Sequence, residues 1–345
     1  MYGVELPFVS IIWINYNSRA FIDKVLSSLR ALSEINYRDY ELIIVDDGST
    51  DGSDRIIKEY INAKLRNKIR ETRFVKLHKN FGFTGAVNAG FSIRDKNAKF
   101  VLLHNNDAVL FPYALKNLVE FMEENKHVGA VQGIILRPNS EIVDSAGGYL
   151  ILELPFYMIR PLHIRDVKLN YLKNKIRWIN GLYTYVTFVE GTLPLYRVDA
   201  VKKALGKYGE KRLYITAAKF YYLEDILVSL LMWCQGYTVA LLGKVIGVHH
   251  RKLTIKNIER SRRFYDIVQR NYYTLRFFIK KAPLIVNSFI DVMLLAKYLV
   301  KSVLRRIDTY KYYFEGLIFY KNICKVIDRK KIRLDRIPLL VKIIF

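Results

Sequence analysis

Hydrophobic runs of strand length alternate with amphipathic stretches along the first 135 residues of the chain. Each run is rich in Val, Ile, Leu or Phe and is too short for a helix, which is typical of a strand buried on both faces. The stretches between the runs carry apolar residues at helical spacing, and the loops are short. The predicted strands are Val9 to Ile14, Leu42 to Val45, Phe74 to Leu77, Phe100 to Leu103 and Gly129 to Ile135.

This alternation predicts right-handed βαβ units, and hence an α/β fold whose mostly parallel sheet carries helices on both faces. From Ile142 to Ile179 the pattern loosens around Gly147, and we expect a hairpin or flap over the ligand site. Leu223 to Trp233 is predicted to be a helix. Further short strands are predicted at Val186 to Glu190, Thr238 to Leu242 and Val245 to Val248.

Polar side chains follow three of the predicted strands at the point where each strand ends. These clusters are Asn15 to Asn17, Asp46 with Asp47, and Asn105 to Asp107. In open α/β sheets ligands bind at the carboxyl ends of the strands, so we expect these side chains to meet at one site. Taken singly, each cluster also fits a polar turn that only caps the next helix.

The chain has 345 residues and a formal net charge of +24, and the excess is uneven. From Arg251 to Phe345 there are 23 Lys and Arg against 7 Asp and Glu, an excess of +16. Such a field attracts polyanions, yet no recognised nucleic-acid motif is present, so we expect no nucleic-acid partner. Two cysteines without metal-like spacing and no secretory signal lead us to expect a cytosolic protein.

This basic region is predicted to be helical, and it is also rich in aromatic residues. Ala282 to Val303 carries apolar residues at helical spacing, with Asp291 and Lys297 near its middle, which makes spanning a bilayer costly. We therefore expect it to lie on an anionic membrane surface, with Tyr312 to Phe314 and Phe319 with Tyr320 as added anchors. The alternative is a helical appendage that packs on the α/β domain.

Acidic and imidazole side chains supply the candidate chemistry. Asp107 is the natural ligand for a hard divalent cation, and one imidazole of His249 and His250 is a second candidate, although a structural histidine is commoner. Glu224 and Asp225 open a helix, where one carboxylate can act as a general base; both also fit the favourable end of the helix dipole. The small residues from Asn80 to Gly90 surround a helix start that can receive a phosphate.

Together these segments resemble the inverting glycosyltransferases of family 2, which have the GT-A fold, and their Asn-Asn-Asp form is most similar to the rhamnosyltransferase-type branch. The resemblance covers about residues 7 to 252. The matching segments, in order, are Val9 to Asn17, Val45 to Ser53, Asn80 to Phe83 with Asn88 to Gly90, Leu103 to Asp107, Glu190 with Gly191 and Tyr196 with Arg197, and Leu223 to Asp225.

The resemblance implies roles for single residues. Asp46 would contact the nucleobase with Asp47 nearby, Asp107 would bind Mg²⁺ or Mn²⁺ at the diphosphate, and His249 would add a metal or diphosphate contact. Asp225, rather than Glu224, would be the catalytic base. The remaining residues assigned to the donor site are Asn15, Asn17, Asn80, Gly82, Asn105 and Asn106.

The implied function is inverting transfer of a sugar from a UDP-, dTDP- or GDP-linked donor to the hydroxyl of a glycan or lipid-linked acceptor. Residues 1–252 would form the GT-A domain, and residues 253–345 would form a helical, basic, membrane-associated region. The expected location is the cytoplasmic face of the cell membrane, as a peripheral protein. The alternative is a non-catalytic relative that binds a nucleotide sugar or a partner protein.

Overall fold

A computed structural model gives the fold of the protein. It describes residues 6–65, 68–154, 158–215, 223–251, 267–268, 270–275, 292, 311–325 and 337–343.

Ten of the described strands form one mixed sheet, in which the first four strands along the chain run parallel. Its order is β10-β12-β6-β11-β4-β1-β2-β3, with β5 paired to β12 and β7 paired to β6. β11 runs antiparallel to both of its neighbours, whereas β12 is parallel to β6. The strands are β1 Val9–Asn15, β2 Tyr40–Asp46, β3 Glu71–Lys76, β4 Phe100–Asn105, β5 Ala108–Leu110, β6 Val128–Leu136, β7 Val143–Ser145, β10 Tyr183–Tyr185, β11 Leu195–Arg197 and β12 Thr238–His249.

Helices cover both faces of this sheet. α1 and α4 pack on one face and α3 and α7 on the other, so that the hydrophobic side chains on both faces of the central strands are covered. The helices are α1 Ile22–Leu32, α2 Ser53–Tyr60, α3 Gly82–Ser92, α4 Ala114–Glu124, α5 Leu169–Lys175, α6 Val198–Leu205, α7 Glu224–Cys234 and α8 Lys311–Cys324.

Alternate residues of the central strands enter two separate hydrophobic cores. In β1, Ile12 faces the core that contains Phe91 of α3, whereas Ile11 and Trp13 face the core that contains Leu29 of α1. All five side chains are fully buried. This two-residue period, buried on both faces, explains why the strands read as continuous hydrophobic runs.

The predicted α/β fold with a mostly parallel sheet is confirmed, and the structure refines the weaker predictions. The loosely patterned stretch after residue 142 contains a short strand and a hairpin. Val186 to Glu190 is not a strand. Thr238 to Val248, predicted as two strands, belongs to one continuous strand, because register shifts between Leu242 and Gly247 let β12 follow β6 without a break.

A second sheet of three strands lies beside the first. β8 (Gly148–Leu154) and β9 (Met158–His163) form the hairpin, and β13 (Leu339–Ile343) adds a parallel strand to β8. The Thr187 hydroxyl donates a hydrogen bond of 2.5 Å to the carbonyl of Pro338. The basic region is therefore not purely helical, since its last described segment completes a sheet with the α/β domain.

The described helices of the basic region pack on the same core as α3. Residues 270–275 are helical, and Tyr273, Tyr312 and Tyr320 are buried in that core. Tyr312 and Tyr320, expected as membrane anchors, are therefore core residues. The segment Ala282 to Val303 lies outside the described residues except for position 292. Within the part of the chain that the structure describes, we find no helix long and apolar enough to cross a bilayer.

Candidate functional site

The carboxyl ends of β1 and β2 are joined by a buried hydrogen-bond network. The amide of Asn15 donates to Asp46 at 2.8 Å, and the backbone N–H and hydroxyl of Ser49 donate to the same carboxylate at 2.8 and 2.6 Å. Asn15 and Asp46 are fully buried. In this structure both oxygens of Asp46 are engaged by the protein, so Asp46 holds the loop that follows β2 against the end of β1.

Asp47 ties that loop to the start of α3. Its two oxygens accept the backbone N–H groups of Phe81 and Gly82 at 2.8 and 2.9 Å. Burial raises the pKa of Asp47 to about 6, although these two hydrogen bonds oppose the shift. Gly48 makes the close approach possible: its φ is +73°, and a Cβ there would lie 2.5 Å from the carbonyl carbon of Lys79.

Two asparagines tie down the loops at the rim of this cluster. Asn17 is half-buried and has a left-handed backbone (φ 43°), and its side-chain oxygen accepts the N–H of Thr50 at 2.8 Å. Asn80 is exposed, and its side-chain oxygen accepts the N–H of Gly82 at 2.8 Å. Both residues therefore fix the course of the backbone at the rim of the cluster.

The end of β4 joins the same edge. The amide of Asn106 donates to the side-chain oxygen of Asn15 at 2.9 Å, and the N–H of Asn105 donates to the carbonyl of Thr192 at 3.3 Å. Asp107 follows directly and is 7% exposed. The three polar clusters predicted from the sequence are thus brought together at one edge of the sheet.

Pairing of β12 with the short strand β5 carries His249 to Asp107. His249 lies opposite Ala108 in this antiparallel pair, and its Nε2 is 3.0 Å from Oδ1 of Asp107. Its Nδ1 is 2.7 Å from Oδ2 of Asp144 on β7, and Arg251 forms an ion pair of 2.7 Å with the other oxygen of Asp144. We call Asp107, His249, Asp144 and Arg251 the charge chain.

The charge chain fixes the ionisation of its members. Burial would lower the pKa of His249, but Asp107 and Asp144 outweigh it and raise the pKa to about 9. Burial would raise the pKa of both carboxyl groups, but His249, together with Arg251 at Asp144, lowers them instead. The free protein therefore holds two carboxylates around one imidazolium.

Asp225 opens α7 beside this edge. One oxygen accepts the N–H of Gly191 at 3.2 Å, and the other accepts the N–H of Ile226 at 2.8 Å. Burial, reinforced by the nearby charge of Glu190, raises the pKa of Asp225 to about 6. The segment from Glu190 to Thr192 connects the two halves of the site, because Gly191 contacts Asp225 and Thr192 contacts Asn105.

Four ionisable residues of this arrangement were missed as site residues by the sequence predictions. Asp144 and His163 lie in the loosely patterned stretch, Glu190 was placed only in a motif without a role, and Arg251 was assigned no role. Glu190 is hydrogen-bonded to both Ser145 and His163. Their sequence signal is weak, since contacts such as that of Asp144 with His249, 105 residues away, leave no periodic pattern.

The fold and this site define a glycosyltransferase with the GT-A fold. The order of the sheet, the polar loops at its carboxyl edge and the acidic helix start all agree with that class. The chain belongs to glycosyl transferase family 2, whose profile matches residues 10–204. The family resemblance and the fold predicted from the sequence are thereby confirmed.

Relatives and solved structures agree with this assignment. An uncharacterized glycosyltransferase of Nostoc sp. is 30% identical over 139 residues, which are 40% of this chain and 40% of that protein. The undecaprenyl-phosphate 4-deoxy-4-formamido-L-arabinose transferase of Aeromonas hydrophila is 31% identical over 122 residues, 35% of each. The aligned part of the chain thus spans less than half the length of these curated relatives.

A solved structure shares the fold over most of its length. The mannosyltransferase PcManGT from Pyrobaculum calidifontis, solved in complex with GDP-Man and Mn²⁺, superposes with a TM-score of 0.51. The match covers 92% of this chain and 88% of that chain at 16% sequence identity. At this identity the likeness supports the fold alone.

Asp144 holds the charge chain together, and we expect its loss to be costly. In Asp144→Asn, His249 and Arg251 lose a buried counter-charge, so the free energy of unfolding should fall by about 3 kcal/mol. Urea denaturation followed by fluorescence measures the change.

The matched control is Asp166→Asn, since Asp166 pairs with Arg137 at the surface. We expect a loss below about 1 kcal/mol there. Equal losses in the two variants would contradict a special role for Asp144.

Proposed function

We propose that the protein transfers a sugar from a nucleoside-diphosphate donor to an acceptor hydroxyl with inversion of the anomeric carbon. One observation carries the proposal: the segment from Glu190 to Thr192 joins Asp225 to the end of β4, which leads directly into Asp107. A candidate base and the strand end that leads to a candidate metal ligand are therefore tied to the same three-residue segment. The rhamnosyltransferase-type branch remains our preferred subgroup, on the Asn-Asn-Asp form alone.

The pair formed by Asp107 and His249 fits a divalent ion. Oδ1 of Asp107 and Nε2 of His249 lie 3.0 Å apart and would hold the ion between them once His249 has given up its proton on Nε2. Asp144 accepts from the far nitrogen of His249, an arrangement that commonly orients a metal-bound imidazole. Such an ion would neutralise the charge of the departing diphosphate.

The protein itself supplies few ligands for that ion. Among the residues that the structure describes, no group of three or more His, Cys, Asp or Glu side chains is arranged to hold a metal. Diphosphate oxygens of the donor and water would complete the coordination, as is usual for ions of this type. We therefore propose Mn²⁺ or Mg²⁺ bound together with the donor.

The other residues of the edge would bind the donor and take up the proton. The loops at Asn17 and Asp47 present backbone groups for the nucleoside, with Asn80 and Gly82 at the rim, and Asn105 and Asn106 border the diphosphate. Asp225 would accept the proton of the attacking hydroxyl. We still expect Asp46 to lie near the nucleobase, where it would act by holding in place the loop that it anchors.

Donor binding is the first test of this function. We expect one of the UDP-, dTDP- or GDP-sugars to bind the full chain in a Mn²⁺-dependent manner by calorimetry. Asp107→Ala should weaken that binding at least tenfold, because it removes a ligand of the ion.

The control is Asp23→Ala, which changes an exposed carboxylate on α1 and should bind as the wild type does. No binding of any donor, with or without metal, would contradict the proposal and favour a relative that binds only a partner protein.

The pH dependence of transfer tests the role of Asp225. A base must be unprotonated, so activity should be constant above pH 6 and fall about tenfold per pH unit below it, because the pKa of Asp225 is about 6. Asp225→Asn should bind the donor normally yet lose roughly 10² to 10⁴-fold in kcat. The rate of nucleoside diphosphate release measures the pH profile and the loss in kcat. Normal turnover by Asp225→Asn would exclude Asp225 as the base.

We further propose a lipid-linked acceptor and attachment to the anionic cytoplasmic membrane face. The Aeromonas relative is described as acting on an undecaprenyl phosphate, and the chain carries an excess of +16 beyond residue 250. The full chain should cosediment with vesicles that contain anionic phosphatidylglycerol, and salt should release it. Equal binding to neutral phosphatidylcholine vesicles, or none to either, would contradict the membrane proposal without touching the transfer reaction.

A further inference from the structure

Glu190 is a buried carboxylate to which the reaction described above gives no role. It is 8% exposed and immediately precedes Gly191, whose N–H contacts Asp225. His163 of β9 contacts one of its oxygens at 2.6 Å, and the hydroxyl of Ser145 donates to the other. The backbone N–H of Glu190 donates to Gln132 at 2.7 Å. A buried charge held by two side chains, on a backbone fixed by a third, calls for an explanation.

Those contacts keep Glu190 ionised. Burial would raise its pKa, but the hydrogen bond and charge of His163, with help from Ser145, lower the pKa below its usual range. Glu190 is therefore ionised at neutral pH. Asp225 accepts the N–H of the next residue, Gly191, at 3.2 Å, so one peptide unit ties the two buried carboxylates together.

We infer that Glu190 is a positioning residue whose fixed negative charge makes Asp225 a stronger base. This inference rests on the proposed role of Asp225 and extends it. A carboxylate with an ordinary pKa is a weak base at neutral pH, and one whose pKa lies nearer the working pH takes up a proton more effectively. A like charge in a low-dielectric setting produces that change, because it disfavours a second negative charge.

The other groups facing Asp225 act in known directions. Burial and Glu190 raise its pKa, whereas His163, when protonated, and the N–H groups of Ile226 and Gly191 lower it. Glu224 is its neighbour in the chain. The phenols of Tyr196 and Tyr214 also lie nearby, but burial raises the pKa of each far above neutrality, so they remain uncharged. Among the charged groups that act on the pKa of Asp225, Glu190 is the one that favours the protonated form.

Direct titration of Asp225 tests the inference without any substrate. The full chain is labelled with ¹³C at the aspartate carboxyl groups, and the NMR signal of Asp225 is identified by its absence in Asp225→Asn. In Glu190→Gln, we expect its titration midpoint to fall by about one pH unit. The repulsion from Glu190 outweighs the opposing effect of His163 on Asp225, so its removal should lower the midpoint.

The matched control is Ser145→Ala. It removes a hydrogen bond from Glu190 in the same pocket but leaves the charge in place, because His163 still holds it. The midpoint of Asp225 should remain near 6 in this variant. An unchanged midpoint in Glu190→Gln would overturn the inference, and so would an equal fall in both variants, which would mark a structural disturbance.

A second measurement separates this inference from the proposed function. We would measure the pH dependence of nucleoside diphosphate release with Mn²⁺ and a panel of UDP-, dTDP- and GDP-sugars. In Glu190→Gln, the pH below which this rate falls (the acidic limb) should decrease together with the NMR midpoint. If Asp225→Asn turns over normally, the role of Asp225 fails, and this inference fails with it. If Asp225→Asn is inactive but Glu190→Gln leaves the limb unmoved, only the inference about Glu190 fails.

Discussion

Burial of several carboxylates at one edge of the sheet is the constraint on which this structure depends. Like charges at close range in a poorly screened setting repel strongly, so each one needs a partner. Backbone N–H groups serve some of them and cationic side chains serve others. The acidic residues in question are Asp46, Asp47, Asp107, Asp144, Glu190 and Asp225.

The type of partner separates five of these carboxylates into two kinds. Asp107, Asp144 and Glu190 each contact a histidine, and their pKa values lie below the usual range. Asp47 and Asp225 accept only backbone N–H groups in the contacts shown, and burial raises the pKa of each to about 6. Neutral dipoles offset burial less completely than a partner that can carry a positive charge. The same edge of the sheet therefore holds three carboxylates that are ionised at neutral pH and two whose pKa lies closer to neutrality.

The sequence predicted the half of the site that depends on local connections. Parallel βαβ units bring strand ends to the same edge of the sheet whatever the loops contain. The sequence alone therefore predicted that Asn15, Asp46 and Asn106 lie close together. Asp144 and Glu190 could not be grouped in that way, because the strand pairing and hairpin that place them join distant parts of the chain. The strand Leu339–Ile343 was not predicted for the same reason, since a short apolar run in a basic region has no periodic pattern.

That difference in connection also separates the two tasks proposed for the site. The proposed donor side is built from consecutive crossovers within residues 10–204, the stretch that the family profile matches. Asp225 and His249 lie beyond it, and His249 reaches Asp107 only because β12 pairs with β5 across about 140 residues of chain. Closing a loop of that length has a high entropic cost. The proposed metal pair therefore depends on long-range strand pairing, which makes the charge chain the point where the two halves must fit.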